Sequence, residues 1–115
     1  MKDRPKGPEA ARLRQRKFAR LRGLTIPIDG LPGSLSISRG RCGKPTCHCR
    51  EGDGHSAWTL TFMGEGHKRV ERVPQDWVEA VRRQVEAGRR FRAAGAEIFA
   101  INAQLLALTR RQRQR

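Results

Sequence analysis

Three cysteines and one histidine fall within fourteen consecutive residues: Cys42, Cys47, Cys49 and His55, in the run CGKPTCHCREGDGH. No other feature limits the fold as much. These are all of the chain's cysteines, and their neighbours Thr46, Arg50 and Glu51 are polar, so scattered core thiols are a poor description. Three thiolates and an imidazole are the ligand set of a closed structural zinc site, and zinc accepts any four such ligands that a loop can set tetrahedrally. Gly43, Pro45, Gly52 and Gly54 supply the turns that wrapping an ion requires. The spacing C-x4-C-x-C-x5-H differs from the paired C-x2-C of zinc ribbons. A disulfide between two of the thiols, or unmetallated thiols, therefore stay open. His55 follows an EGDG turn and can fold back, which favours it over His48 as fourth ligand. His48 stands between two ligand cysteines, where a side chain points away from the ion. His67 belongs to a hairpin turn and is expected to be solvated.

A metal matters because the rest of the chain is poor in core. With 115 residues, 37% hydrophobic content and no tyrosine, a staple or oligomerisation is physically reasonable. Structural zinc contributes about 10–16 kcal/mol of apparent binding energy, comparable with the whole stability of a domain, about 5–15 kcal/mol. No apolar run approaches the ~20 residues that span a bilayer. The basic N-terminus has no apolar stretch of the secretory kind. A cytoplasmic, nucleoid-associated protein without membrane contact is expected.

Charge is concentrated rather than spread. The formal net charge is +14 and the pI about 11.5. Residues 1–22 hold nine Lys/Arg against Asp3 and Glu9; Arg39, Arg41, Lys44 and Arg50 surround the cysteine loop; the tail RRQRQR adds four arginines. Residues 51–80 are slightly acidic, at −3. Clustered cations are the electrostatic footprint of a polyanion binder, since each phosphate contact releases condensed counterions. The candidate nucleic-acid contacts are Arg12, Arg14, Arg16, Lys17, Arg20, Arg39, Arg41, Lys44, Arg50, Arg110 and Arg111. DNA is the favoured partner and RNA the alternative. Basic tails that bind nothing are the plain alternative.

Along the chain, residues 9–22 have helix-forming composition and Gly23 is a helix stop. Their apolar stripe, Ala10, Leu13, Phe18 and Leu21, is weak, so such a helix should order on phosphate or against a partner. Residues 24–33 read as an extended loop. Ser34–Arg39 alternates as a short strand; Trp58–Phe62 alternates likewise, Gly64-Glu65-Gly66-His67 turns, and Lys68–Val73 returns. Pro74 opens a helix reaching about residue 110. Its a/d seam runs Trp77, Ala80, Gln84, Ala87, Phe91, Ala94, Ile98, Ile101, Leu105, Leu108, beside a second stripe of Val78, Val81 and Val85. The first half is expected to pack on the sheet. The second half, through Phe91, Ile98, Ile101, Leu105 and Leu108, is expected to form a coiled-coil homodimer or to meet a partner helix; folding back onto residues 10–21 is the alternative. Gly88 and Gly95 allow close approach or a bend.

The expected class is α+β: a small zinc-stapled antiparallel sheet, a long C-terminal helix, and a basic N-terminal helix or arm. The segments are 1–23 (basic arm), 24–75 (zinc loop and hairpin), 76–110 (long helix) and 111–115 (basic tail). No enzymatic constellation is found. The H-x-E and P-C-x-x-C pair of zinc deaminases, a tyrosine nucleophile, a carboxylate cluster for two-metal chemistry and a phosphate-binding glycine loop are all missing from the sequence. A fully ligated zinc would leave no position for water. A non-catalytic role is expected.

The run GSLSISRGRCGKPTCHCREGDGHSAWTLTF, followed by a charged return strand and VPQDWVEAV, resembles an uncharacterised family of short bacterial proteins. That family has a CGKPxCxC zinc-knuckle-like loop and is commonly encoded beside transposases. The likeness covers residues 33–108. It implies Cys42, Cys47, Cys49 and His55 as the matching positions, and a nucleic-acid context shared with a mobile-element enzyme. Ser56-Ala57-Trp58 replaces the family's Gly-Pro-Tyr-Tyr, so a stacking role for those tyrosines does not transfer. A DNA-binding accessory protein is the resulting expectation. Its alternative is an interaction subunit of a ribonucleoprotein or transposase complex that binds RNA.

Overall fold

A computed structural model describes residues 3–40 and 55–114. They form an α+β fold in the order α1 (Pro8–Arg22), β1 (Ser34–Gly40), β2 (His55–Gly64), β3 (His67–Val73), a 3-10 turn (Gln75–Trp77) and α2 (Val78–Arg113). Two compact units divide the chain: Met1–Ile26 with Arg90–Arg115, and Pro27–Arg89. The long helix contributes to both.

In the first unit, α1 begins with Pro8 in its first turn, where no backbone donor is needed, and ends at Gly23. It runs antiparallel to the second half of α2, as the cross-ties show. Lys6 N donates to Gln112 Oε1 at 2.8 Å, Lys17 Nζ to Asn102 Oδ1 at 3.1 Å, and Arg20 meets Glu97 at 2.9 Å. Between these ties Ala10, Leu13, Ile98, Ile101 and Leu108 are buried, Ile101 to 1% exposure. The seam's strongest residues are thus covered within the chain, the fold-back arrangement, with Phe91 and Leu105 half-buried. Phe18 and Leu21, expected on the same stripe of α1, remain exposed.

The second unit is a three-stranded antiparallel sheet, order β1-β2-β3, packed on the first half of α2. Pairing of Gly64 with His67 leaves Glu65 and Gly66 as a two-residue hairpin turn; their φ values of 54° and 81° give the left-handed pair that matches strand twist. Alternation sends Leu35, Trp58, Leu60, Phe62 and Val73 to one face, where they meet Leu31, Val78, Val81 and Val85. The valine stripe therefore serves the sheet, as its restriction to the first half of the helix predicts. Gly88 accepts the loop: Leu31 N donates to Gln84 O at 3.0 Å, and a Cβ at Gly88 would overlap the Leu31 carbonyl oxygen.

Candidate metal centre and basic surfaces

Cys42, Cys47, Cys49, His48, Arg41, Lys44 and Arg50 lie outside the described residues. Among the described residues no group of three or more His, Cys, Asp or Glu forms a metal cluster. The strand register nevertheless bears on the ligand set. Gly40 pairs with His55, so the two ends of segment 41–54 meet across one hairpin. Directly opposed positions in an antiparallel pair lie about 4.5–5.5 Å apart. Of the four proposed ligands only His55 belongs to the described residues, at the start of β2 opposite Gly40. The donor set of three thiols and one imidazole suits zinc.

The cations of α1 do two jobs. Arg16 and Arg20 both reach Glu97, at 3.6 and 2.9 Å, yet stay 58% and 55% exposed. Arg14 donates to Pro5 O at 2.9 Å, and Lys17, besides its bond to Asn102, lies 5.6 Å from the Phe18 ring centroid. Arg12 is exposed on the same helix. At the far end Arg111 faces Glu9 at 3.7 Å. Exposed pairs such as these are worth about 0.2–1 kcal/mol each, and one carboxylate shared by two arginines leaves the helix cationic. Arg110 is exposed. Arg39 falls in β1 opposite Ser56. The loop cations and the α1 cations occupy different units of the chain.

Two features escaped the sequence reading. The outer face of the sheet carries Ser34, Ser36 and Ser38 on β1, Thr59, Thr61 and Met63 on β2, and Lys68, Val70 and Arg72 on β3. Summing charge over residues 51–80 hides its cations, because Glu71 sits on the opposite face beside Arg69 at 3.8 Å. The second is an apolar line on α2: Phe99 at 72% exposure and Leu106 at 53%, with Ala103 between them. Leu106, Ala103 and Ala107 border an open groove of about 670 Å³ that also touches Arg110, Arg111 and Arg113. Their i, i+4, i+7 spacing runs beside the stronger a/d seam of the same helix.

No helix of the described residues is long and apolar enough to cross a membrane. Compared with known proteins, residues 9–83 match the family model described as a domain of unknown function, DUF6788. That stretch runs from α1 through the cysteine loop and the sheet into the first turns of α2. No curated protein and no solved structure matches the chain.

Proposed function

The chain belongs to the DUF6788 family, and we propose that it is a non-catalytic, zinc-containing accessory protein that binds DNA. The observation that carries this reading is the surplus of exposed cations on α1, which outnumber the carboxylates available to them. Glu97 is shared by Arg16 and Arg20, and the whole chain keeps a charge of +14. Such a surface attracts phosphates through counterion release and positions a duplex without reading its bases. Arg12, Arg14, Arg16, Lys17 and Arg20 form one set of contacts, Arg39, Arg41, Lys44 and Arg50 a second, and Arg110 and Arg111 a third. Zinc on Cys42, Cys47, Cys49 and His55 acts as a structural staple. The likeness to a transposase-linked family supports a mobile-element enzyme as the partner in the bacterial nucleoid.

The test is binding against salt. With about six phosphates neutralised, log K should fall against log salt with a slope of about −5. A flat response would sink the idea.

A second reading rests on Phe99 and Leu106. An exposed apolar line beside arginines suits docking of a partner helix, as in an interaction subunit that threads its basic arms along RNA. Competition among duplex DNA, single-stranded DNA and structured RNA separates the two readings. Stronger binding of RNA than of duplex DNA favours the second.

A further inference from the structure

We infer that the outer face of the three-stranded sheet is a separate docking surface for the sugar–phosphate backbone of duplex DNA, with Arg72 and Lys68 as its phosphate-contacting cations. This rests on the nucleic-acid-binding reading above and adds to it a site outside every basic cluster visible in the sequence.

The register sets out the surface. Ser36, Thr59 and Arg72 form one row across the three strands, and the Ser36 and Thr59 hydroxyl oxygens are 3.2 Å apart. When one hydroxyl donates to the other, the pair keeps one hydrogen to give outward. The next row holds Ser34, Thr61 and Val70, and beyond it Lys68 stands beside Met63. No carboxylate falls on this face among the described residues. Glu71, the one acidic residue of β3, belongs to the other face. Hydroxyls and cations without competing carboxylates complement phosphate oxygens, and Ser, Thr, Arg and Lys are the usual backbone contacts of DNA-binding proteins.

Spacing favours a duplex. Lys68 and Arg72 are four residues apart on one strand, about 13 Å. The major groove is about 12 Å wide, so the two side chains can reach phosphates on either side of it. Stacking argues against single strands, because sheets that bind them need exposed aromatic rings. Trp58 and Phe62 lie on the opposite face, packed against the core cluster. Ser36, Ser38, Met63, Lys68, Val70 and Arg72 are all exposed.

The experiment compares full-length wild type, Lys68→Gln/Arg72→Gln, and Arg69→Gln/Arg89→Gln by fluorescence anisotropy over a salt series. The probes are a labelled duplex DNA and its single strand. The second variant removes the same charge from positions off this face. Thermal unfolding of each variant checks that it is folded, as surface changes should allow. Loss of two phosphate contacts predicts a salt slope smaller by about 1.8 for the sheet variant and binding weaker by about tenfold or more near 0.1 M salt. The control variant should lose clearly less. Equal losses in both variants would overturn this site while leaving DNA binding intact, since net charge alone would then explain them. Unchanged duplex binding by the sheet variant would overturn it too, as would tighter binding of the single strand than of the duplex. A wild type that binds neither probe would overturn the site and the general reading together.

Discussion

Gly88 and Gly95 lie one heptad apart in α2, and the same substitution should move stability in opposite directions at the two positions. A Cβ at Gly95 meets nothing within 4 Å. Alanine there removes the backbone entropy that glycine carries into a helix interior, a gain of about 0.5–1 kcal/mol. At Gly88 the same propensity gain is overridden. The added carbon would overlap the Leu31 carbonyl oxygen and come within 3.2 Å of Leu31 C and N, all of them backbone atoms that cannot rotate aside. The loop must lift away, which breaks the 3.0 Å bond from Leu31 N to Gln84 O. Leaving those groups unpaired costs about 1–3 kcal/mol. Withdrawing the half-buried Leu31 from Val85 and its neighbours adds roughly 1 kcal/mol. The net expectation is a loss of about 2 kcal/mol for Gly88→Ala. For a chain of this size 1 kcal/mol corresponds to about 4 °C, so far-UV circular dichroism should show Tm falling by about 8 °C for Gly88→Ala and rising by about 2–4 °C for Gly95→Ala. A rise at both positions would refute the packing of residues 27–33 on the helix.

Three further outcomes can be checked directly. Purified protein should contain about one zinc per chain, with Cys47→Ser and His55→Ala losing it and His48→Ala keeping it; elemental analysis decides, and retention in His55→Ala removes that residue from the ligand set. Ile101→Ala should cost about 2–5 kcal/mol in urea unfolding without altering the sedimentation coefficient, since the side chain is buried within one chain; a change from dimer to monomer would contradict this. Glu97→Gln should cost less than about 1 kcal/mol and tighten duplex binding, because Arg16 and Arg20 lose their competing carboxylate. Weaker binding would show that those arginines do not meet phosphate.

Local signals were legible wherever a periodicity met turn chemistry. Gly64-Glu65-Gly66-His67 announced its hairpin through its two glycines: Gly66 takes positive φ freely, whereas Glu65, at φ 54°, holds the left-handed region despite its side chain. The valine stripe announced the sheet, and the a/d seam announced a buried helix face. What covers that face was not legible. The stripe on α1 is weak, and its pairing with α2 depends on ties between residues as distant as Lys6 and Gln112. The approach of Leu31 was equally hidden, since the space for it is provided by Gly88 far along the chain. The outer sheet face was lost for a different reason. Strand alternation sorts Lys68 and Arg72 from Glu71, whereas a net-charge window adds them together. The cysteine cluster shows a metal donor set in the sequence, and of its four residues only His55 is among the described residues, opposite Gly40.

That placement connects the loop to the sheet surface. Segment 41–54 leaves the sheet at Gly40 and re-enters at His55. β3 ends at Val73 opposite Trp58, near this same end, so Arg72 belongs to the end of the sheet from which the loop springs. The segment contains no Leu, Ile, Val, Met or aromatic residue. Hydrophobic burial therefore cannot offset the cost of fixing its fourteen residues, about 1–2 kcal/mol for each backbone. Strand pairing already closes the ends, a contribution of only about 2 kcal/mol for a loop of this length. Metal binding, whose apparent free energy is already net of such ordering, would be the remaining source under the proposed ligation. Under the proposed ligation the metal decides how Arg41, Lys44 and Arg50 meet a partner. Ordering done by the metal would then not have to be done on meeting a partner. The salt slope depends on how many phosphates are contacted, and the affinity at a given slope depends on how much ordering must be done on binding. Metal removal should therefore weaken binding chiefly through the second, whereas loss of Lys68 and Arg72 acts through the first.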